Sequence, residues 1–436
     1  MMSLQRIYKS SLFKNTSIYI VTDALNKAIP FLLLPFLTHY LLPEDYGVIT
    51  NFNVIIQILS VFCYSCTVAA LPVMYYKLNK DELRLYVSNI IILNTAITVV
   101  VSVLLIIFNG LIYGSLQLSL LYQLVSLIVV WFSSLTYVNL VLWRCEERPL
   151  SFGKYQISQS IFSALSTILL VIVLLMGWQG RVYSYLISAV VFGLVSLYVL
   201  KIRGFLELSV SKKYMTHALF FALPLVPHAL SFWLKSGVDK ILLTDMCSLT
   251  ENGLYSVAMT LGSIVTMVLL AFNNAYAPYL YKKLTYFDDN KNNIGMEKDK
   301  VKLVKLTYSI VILALVLVFF AYWISWFIIK YVYDISYSDS IKFLPYVMIG
   351  QFFYGGYLMF VCYFHHTFRT KLLGTITFLL SMLQIAMSYL FIKWIDSTGV
   401  AIASAVVSFL TFFFVAIFAM KIYQLPWLFF INKKNE

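Results

Sequence analysis

The stretch VTDALNKAIPFLLLPFL, Val21–Leu37, lies inside the first long apolar run of the chain. Its flanks are typical of a membrane-spanning helix, but Asp23 and Lys27 place two opposite charges within it, four residues apart. A spanning helix needs about 20 mostly apolar residues, and a charge at its centre costs roughly 2.5–3.5 kcal/mol on insertion scales. The stretch therefore predicts a membrane helix that keeps one face away from lipid.

Composition extends this prediction to the whole chain. Of the 436 residues, 61% are hydrophobic and only 12% are charged, and the mean hydropathy is +0.85. Soluble domains carry about 45–50% apolar and about 25% charged residues, so no soluble core accommodates this much apolar surface. The composition predicts an all-α polytopic membrane protein and excludes a large soluble catalytic domain.

Twelve apolar runs are long enough to cross a bilayer. The predicted spans are 15–41, 47–76, 86–109, 116–143, 151–176, 182–201, 214–241, 253–280, 303–329, 342–366, 372–392 and 398–420. Because twelve is an even number, this count places both termini on the same side of the membrane.

The Lys and Arg residues assign the two sides. Of the 32, 25 fall in one set of alternate loops, five fall in the other set, and Lys27 and Lys235 lie within helices. Cytoplasmic loops carry an excess of Lys and Arg, so both termini are predicted to be cytoplasmic. Orientation accounts for the net charge of +13, and nucleic acid is not an expected partner. The same pattern assigns Arg181, in the turn GWQGR, to a short outer loop.

The two halves of the chain show weak internal similarity. The turn PEDYGVIT follows the first helix and the turn TENGLYSV follows the seventh. Aligning Gly47 with Gly253 offsets the halves by 206 residues, about half the chain. The repeat predicts two pseudo-symmetric six-helix lobes, 1–208 and 209–436, related by an axis along the membrane normal.

Two pairs of charges lie at membrane depth. Asp23 and Lys27 are on helix 1, and Lys235 and Asp239 are on helix 7. The two members of each pair are four residues apart, so they lie on the same face of their helix. Only the first helix of each half carries such charges, which favours one polar cavity between the lobes. The lysines are expected to bind an anionic headgroup, and the aspartates to pair with them or to carry a proton or sodium ion. The alternative is a private structural ion pair in each helix.

Two neutral side chains complete the predicted substrate-binding set. Asn26 precedes Lys27 on helix 1, and His228 follows Pro227 on helix 7. An imidazole titrates near neutral pH, and an amide offers both a donor and an acceptor. Packing between helices is the alternative role, because amides commonly bond neighbouring membrane helices together.

Three motifs resemble a known family. PEDYG after helix 1, ENGLYSVA at the start of helix 8 and NNAYAPYLYKK at its end are similar to the pattern of bacterial Wzx-type O-antigen and exopolysaccharide repeat-unit flippases. The resemblance implies two six-helix lobes in a V around a central cationic cavity, with helices 1 and 7 bent at its front. That family often has arginine in the cavity, whereas this sequence shows only Lys27 and Lys235 at mid-helix.

The resemblance also implies a function. The substrate would be an undecaprenyl-pyrophosphate-linked oligosaccharide, moved across the bacterial inner membrane by alternating access, with no enzymatic reaction, no cofactor and no bound metal. A proton or sodium ion is the expected coupling ion if the step is coupled. A polysaccharide polymerase and chain-length proteins are expected partners, beside the lipid bilayer itself.

Two alternatives stay open. A cation-coupled multidrug exporter of the same superfamily would favour acidic cavities, because its substrates are often cationic, whereas lysines and aspartates balance in this chain. A membrane-embedded glycan-processing enzyme would be expected to carry acidic residues on sizeable outer loops. The outer acids of this chain, among them Glu44, Asp45, Glu251 and Asp334, are scattered on short turns.

Overall fold

The computed structural model describes residues 11–207, 209–290 and 296–427, and all regular elements in these ranges are helices. The main helices are α1 (Ser11–Tyr40), α2 (Pro43–Tyr75), α3 (Lys80–Ile107), α4 (Leu120–Cys145), α5 (Pro149–Val173), α6 (Gly177–Ile202), α7 (Lys212–Ala222 and Leu225–Met246), α8 (Leu249–Asp289), α9 (Met296–Tyr331), α10 (Leu344–His366), α11 (Thr370–Ile395) and α12 (Thr398–Ile422). The predicted all-α polytopic class is confirmed.

Each of the twelve predicted apolar runs coincides with one of these helices. Within the described residues, ten helices are long and apolar enough to cross a membrane. The other two are α1 and the interrupted α7, which carry the predicted intramembrane charges. The membrane class is therefore established, and the count of twelve crossings stays a prediction.

The acidic motifs between helices mark helix starts. α2 begins at Pro43, and the backbone N–H of Leu42 donates to Asp45 Oδ2 at 3.1 Å. α3 begins after Asn79, whose side chain accepts from the N–H of Glu82 at 2.9 Å, while the Glu82 carboxylate accepts from the N–H of Asn79 at 3.3 Å. Such reciprocal bonds satisfy N–H groups that have no partner within the helix. Asp45 and Glu82 therefore stabilise the starts of α2 and α3.

Several helices depart from regular α geometry. Pro30 and Pro35 lie inside α1, and α7 is interrupted at Pro224. π-helical turns occur in α2 at Val61–Ser65 and in α5 at Ile168–Val173. Single π turns inside α-helices occur frequently at functional sites, and the turn in α5 begins about one helical turn after the last α5 residue that lines the cavity described below.

By packing, the chain divides into a first unit, Met1–Gly253, and a second unit, Leu254–Glu436. α7 falls in the first unit because it packs on α2: Val61, Cys66 and Ala222 form a buried cluster that Leu225 and Leu230 extend. The sequence repeat instead places the lobe boundary at 208/209. The repeat sets the boundary by the order of the helices, whereas the division into units follows the packing between them. The two six-helix lobes and their V-shaped arrangement therefore stay predictions.

Two glycines bring helix starts into direct contact within the first unit. A Cβ at Gly47 would lie 2.1 Å from the carbonyl oxygen of Leu249, and a Cβ at Gly253 would lie 1.8 Å from that of Pro43. Both contacts are with backbone, so no larger residue fits without moving a helix. These are the two glycines that the repeat aligns, which gives both the same structural role.

The second unit has its own core. Buried residues of α8, α9, α10 and α12 form one apolar cluster that includes Leu280, Val304, Phe364 and Val415. At the ends of these helices, Asp288 lies 2.7 Å from His366 and accepts a hydrogen bond from Tyr423 at 3.1 Å.

Tyr423 follows the end of α12, outside the spanning segment. Burial, followed by the neighbouring Asp288 carboxylate, raises its pKa. The phenol therefore stays protonated and donates, which joins α8 to the end of α12.

Candidate functional site

A cavity of about 260 Å³ with a partly polar lining lies among α1, α4, α5 and α6 of the first unit. α1 contributes an apolar wall, Ile29, Pro30 and Leu33. The facing helices contribute the polar lining, which is Ser133, Gln159, Ser160, Ser163, Arg181, Tyr185 and Ser188. A cavity with this many hydroxyl and amide groups is unusual inside an apolar helix bundle, because polar groups without partners are costly there.

Among the described side chains, Arg181 is the only Lys or Arg in the lining of this cavity, and just 7% of it is exposed. One guanidinium nitrogen donates to Thr167 Oγ1, and the other terminal nitrogen donates to the Tyr185 hydroxyl at 2.9 Å. The guanidinium also lies over the Tyr185 ring, 4.2 Å from its centroid. Thr167 in turn contacts Ser184 at 2.8 Å, so hydroxyl groups hold the arginine in one orientation.

The charge of Arg181 has no carboxylate partner within 4.0 Å among the described side chains. A guanidinium has five N–H donors, and its hydrogen bonds to Thr167 and Tyr185 use two of them. An unpaired buried charge is strongly destabilising. The site therefore suits an anion or an oxygen-rich ligand, which would supply the missing acceptors.

Two further polar atoms, on the α1 and α5 helices that line the cavity, lack a hydrogen-bond partner. Ser160 donates to Asn26 Oδ1 at 2.8 Å, which leaves the Asn26 amide nitrogen buried without an acceptor. One turn away on α5, the side-chain oxygen of Gln156 is buried without a donor. Most buried polar side-chain atoms are hydrogen-bonded, so atoms left without partners here indicate a place for water or for a polar ligand.

The structure places the sequence-predicted residues in different surroundings. Asn26 contacts the cavity lining through Ser160. Asp239 is buried on α7, with 4% exposed, and His228 is exposed on α7; neither lines the cavity. The side chains of Asp23, Lys27 and Lys235 lie outside the described residues. Their roles in binding and ion coupling stay predictions.

The assignment of Arg181 to an outer loop is wrong. α6 begins at Gly177, so Arg181 is helical and faces inward. The signal was present as two polar stripes at helical spacing, which are Gln156, Ser160, Ser163 and Thr167 on α5, and Arg181, Ser184 and Ser188 on α6. Positions three and four apart share one face of a helix. Loop counting missed the arginine because it treats each cation near a helix end as solvent-exposed.

In the part of the chain that the structure describes, no group of three or more His, Cys, Asp or Glu side chains is placed to hold a metal ion. The donors of the cavity are hydroxyl, amide and guanidinium groups. Guanidinium and amide N–H groups bind oxygen atoms rather than cations, so this donor set fits anion binding.

A family model described as "Polysaccharide biosynthesis protein" matches residues 12–283, more than half of the chain. The Lsg locus protein 1 of Haemophilus influenzae is 27% identical over 280 residues, which is 62% of this chain and 66% of that protein. A second Haemophilus influenzae protein, an uncharacterised membrane protein, is 27% identical over 278 residues, 63% of this chain and 66% of its own length. The match thus spans just under two thirds of each relative.

Several solved structures share the fold, among them a flippase and a multidrug transporter. The lipid II flippase MurJ, in an inward closed conformation, superposes with a TM-score of 0.67 at 16% identity, covering 92% of this chain and 87% of that one. A multidrug resistance MATE family transporter of the MOP superfamily, in an inward-facing conformation, superposes with a TM-score of 0.63 at 14% identity, covering 95% and 98%. The chain therefore belongs to the polysaccharide biosynthesis protein family, and it shares its fold with the flippase MurJ and with a MATE family transporter.

Proposed function

We propose that this protein translocates undecaprenyl-pyrophosphate-linked oligosaccharide repeat units, of O-antigen or exopolysaccharide type, across the bacterial inner membrane. The observation that carries the proposal is Arg181, a buried cation without a described carboxylate partner in a polar cavity. Family membership supplies the polysaccharide context. In this proposal both termini are cytoplasmic, as the distribution of Lys and Arg predicts.

The cavity matches the two polar parts of such a substrate. A pyrophosphate is an anion, and arginine binds phosphate oxygens through paired N–H donors. Sugar hydroxyl groups both donate and accept, and the cavity presents hydroxyl and amide groups such as Ser163, Gln159 and Ser188. Neither part crosses about 30 Å of hydrocarbon unaided, so the protein must replace water along the path.

The remaining charges have proposed roles in the same cycle. Lys27 and Lys235 would bind the anionic headgroup at other stages, and Asn26 and His228 would contact sugar or phosphate. Asp23 and Asp239 would pair with the lysines or carry a coupling proton or sodium ion. A polysaccharide polymerase and chain-length proteins would use the translocated product.

The proposal is tested in the bacterium that makes this protein. Deleting its gene should abolish surface polysaccharide and cause lipid-linked repeat units to accumulate, and the wild-type chain on a plasmid should restore display. Glycan staining of cell extracts and mass spectrometry of the lipid fraction measure both effects. Normal surface glycan after deletion would contradict the proposal.

The fold is shared with a multidrug transporter, so the same strains should be tested for export. A cationic dye such as ethidium should accumulate equally with and without the gene, because a buried arginine repels cations. Faster dye efflux that depends on this gene, with unchanged glycan, would instead favour a drug exporter.

A further inference from the structure

A second depression, separate from the Arg181 cavity, lies along the contact line between α1 and α5. Its volume is about 490 Å³, and none of its lining residues also lines the cavity. The lining, here called the α1–α5 groove, is Ile18, Val21, Thr22, Leu150, Gly153, Lys154, Ile157 and Ser158. The groove occupies the end of these helices near the turn before α5, on the side rich in Lys and Arg.

The walls of the groove are apolar and face outward. Val21 is 57% exposed and Leu150 is 60% exposed. Exposed apolar surface on a membrane helix is stable against hydrocarbon rather than water. The exposed walls of the groove therefore suit a hydrocarbon chain.

A close helix contact gives the groove its floor. A Cβ at Gly153 would lie 2.7 Å from Thr22 Oγ1, so the absence of a side chain lets α1 approach α5 at this point. On the adjoining face, the Tyr19 ring meets the Phe152 ring edge-on at 5.1 Å. From Leu150 to Ser158 the groove runs about 12 Å along the axis, at 1.5 Å per residue. This shape suits one hydrocarbon chain lying between two helices.

One end of the groove carries an available positive charge. Lys154 is exposed and has no carboxylate within 4.0 Å among the described residues. Of the two acidic residues in the turn before α5, Glu146 is paired with Arg148 and Arg203, and neither Glu146 nor Glu147 forms an ion pair with Lys154. A lysine at the edge of the bilayer attracts phosphate-bearing lipids.

We propose that the α1–α5 groove binds the polyprenyl chain of the lipid-linked substrate, with the Lys154 ammonium on its phosphate. The inference rests on the proposed function, because that function supplies a single-chain phosphate lipid. About one helical turn beyond Thr22 and Ile157, the Asn26–Ser160 hydrogen bond separates the groove from the Arg181 cavity. The groove is therefore a loading site, which holds the lipid anchor beside the cavity that receives the headgroup.

Photolabelling of the purified full-length protein tests this site. The probe is a benzophenone-bearing polyprenyl phosphate, in proteoliposomes of phosphatidylcholine, and labelled peptides are identified by mass spectrometry. Label should fall within residues 18–22 and 150–158. Lys154→Gln should lower labelling about fivefold, as expected for one lysine at a membrane surface, and Lys154→Arg should retain it.

A substitution that fills the α1–α5 groove provides the second part of the experiment. Ile157→Trp should lower labelling at least tenfold, since the indole occupies the groove. Ile161→Trp, four residues along the outer face of α5, and Lys201→Gln, at the end of α6, are matched controls that should label normally, because neither residue lines the groove. The thermal unfolding midpoint of each variant excludes a folding defect.

Competition identifies the occupant. Unlabelled undecaprenyl phosphate should displace the probe, and phosphatidylglycerol at the same concentration should not. Equal displacement by phosphatidylglycerol would assign the groove to ordinary phospholipid and overturn the proposal, as would normal labelling of both Lys154→Gln and Ile157→Trp. Groove labelling by a protein that exports no oligosaccharide would contradict the proposed function and leave this site standing.

Discussion

Two buried polar clusters of the first unit differ in how completely their hydrogen bonds are made. In one, Asn51, Thr244 and Asn252 bond to one another at 2.8–3.2 Å, and Asn51 also donates to the Leu116 carbonyl at 2.8 Å. In the other, Arg181 has no described carboxylate partner and faces a cavity.

The difference distinguishes polar groups that stabilise the fold from polar groups that are available to bind a ligand. Asn51 and Asn252 are each 0% exposed, and none of the side-chain oxygen or nitrogen atoms of this trio is left without a partner. A fully satisfied network rigidifies the helices that share it. A network with unsatisfied donors needs acceptors from a ligand or from water. In the Arg181 cavity we propose that the substrate supplies these acceptors.

The largest effect is expected at the glycine contact beside the Asn51 cluster. Gly253→Ala should destabilise the protein by about 3 kcal/mol, because its Cβ meets the Pro43 carbonyl, and overpacking costs typically 1–3 kcal/mol or more. The thermal unfolding midpoint in detergent measures this. Gly374→Ala is the control, since nothing lies within 4 Å of a Cβ there. Equal midpoints for the two variants would contradict the close contact.

A smaller loss of stability is expected from the amide network itself. Asn51→Ala should cost about 2 kcal/mol, because it leaves the buried Asn252 and Thr244 groups short of a partner. Asn53→Ala, two residues along α2 and half-buried, should change stability by less than about 0.5 kcal/mol. If both variants unfold at the same temperature, the network does not stabilise the helix contact.

The Arg181 cavity should respond in the opposite sense, with function lost and stability kept. Arg181→Gln should lower oligosaccharide export about tenfold, since a hydrogen bond to a charged group is worth about 1.5–3 kcal/mol. Its unfolding temperature should stay the same or rise, because an uncompensated buried charge is removed. Complementation of surface glycan, normalised to protein level, is the measurement.

Lys393→Gln removes the charge of an exposed lysine that does not line the Arg181 cavity, and this variant should export normally. A marked loss of stability in Arg181→Gln, with export per folded molecule unchanged, would place the arginine in the structural class with Asn51.

The smallest effect distinguishes charge from geometry at the same position. Arg181→Lys keeps the charge but loses the planar set of N–H donors that bonds Thr167 and Tyr185. Export should fall about threefold, between the wild type and Arg181→Gln, by roughly half of the free-energy loss of the latter. Full activity of the lysine variant would show that charge alone suffices.

Much of the fold was predictable because it depends on local properties. The twelve apolar runs each coincide with a helix, since the length and hydropathy of a segment decide whether it forms one in lipid. Asn79 and Glu82 cap the start of α3, and their side chains act on backbone groups only three positions away. The short turns alone align Gly47 with Gly253, and both residues lie at helix contacts that leave no room for a side chain.

The candidate site was predicted only in part. Asn26 was identified on α1, and its hydrogen bond to Ser160 brings it beside the cavity. Arg181 was missed because four separate helices must pack before its surroundings exist. No property of the GWQGR turn by itself distinguishes an arginine in solvent from one buried against Thr167 and Tyr185.

By itself, the sequence determined the solvent and the helical secondary structure, because the hydropathy of each segment decides both. Only the tertiary structure decided which polar groups are satisfied, since their partners come from distant parts of the chain: Asn51 meets Asn252, and Asn26 meets Ser160. A buried polar group stabilises or binds according to whether the folded chain supplies its partner.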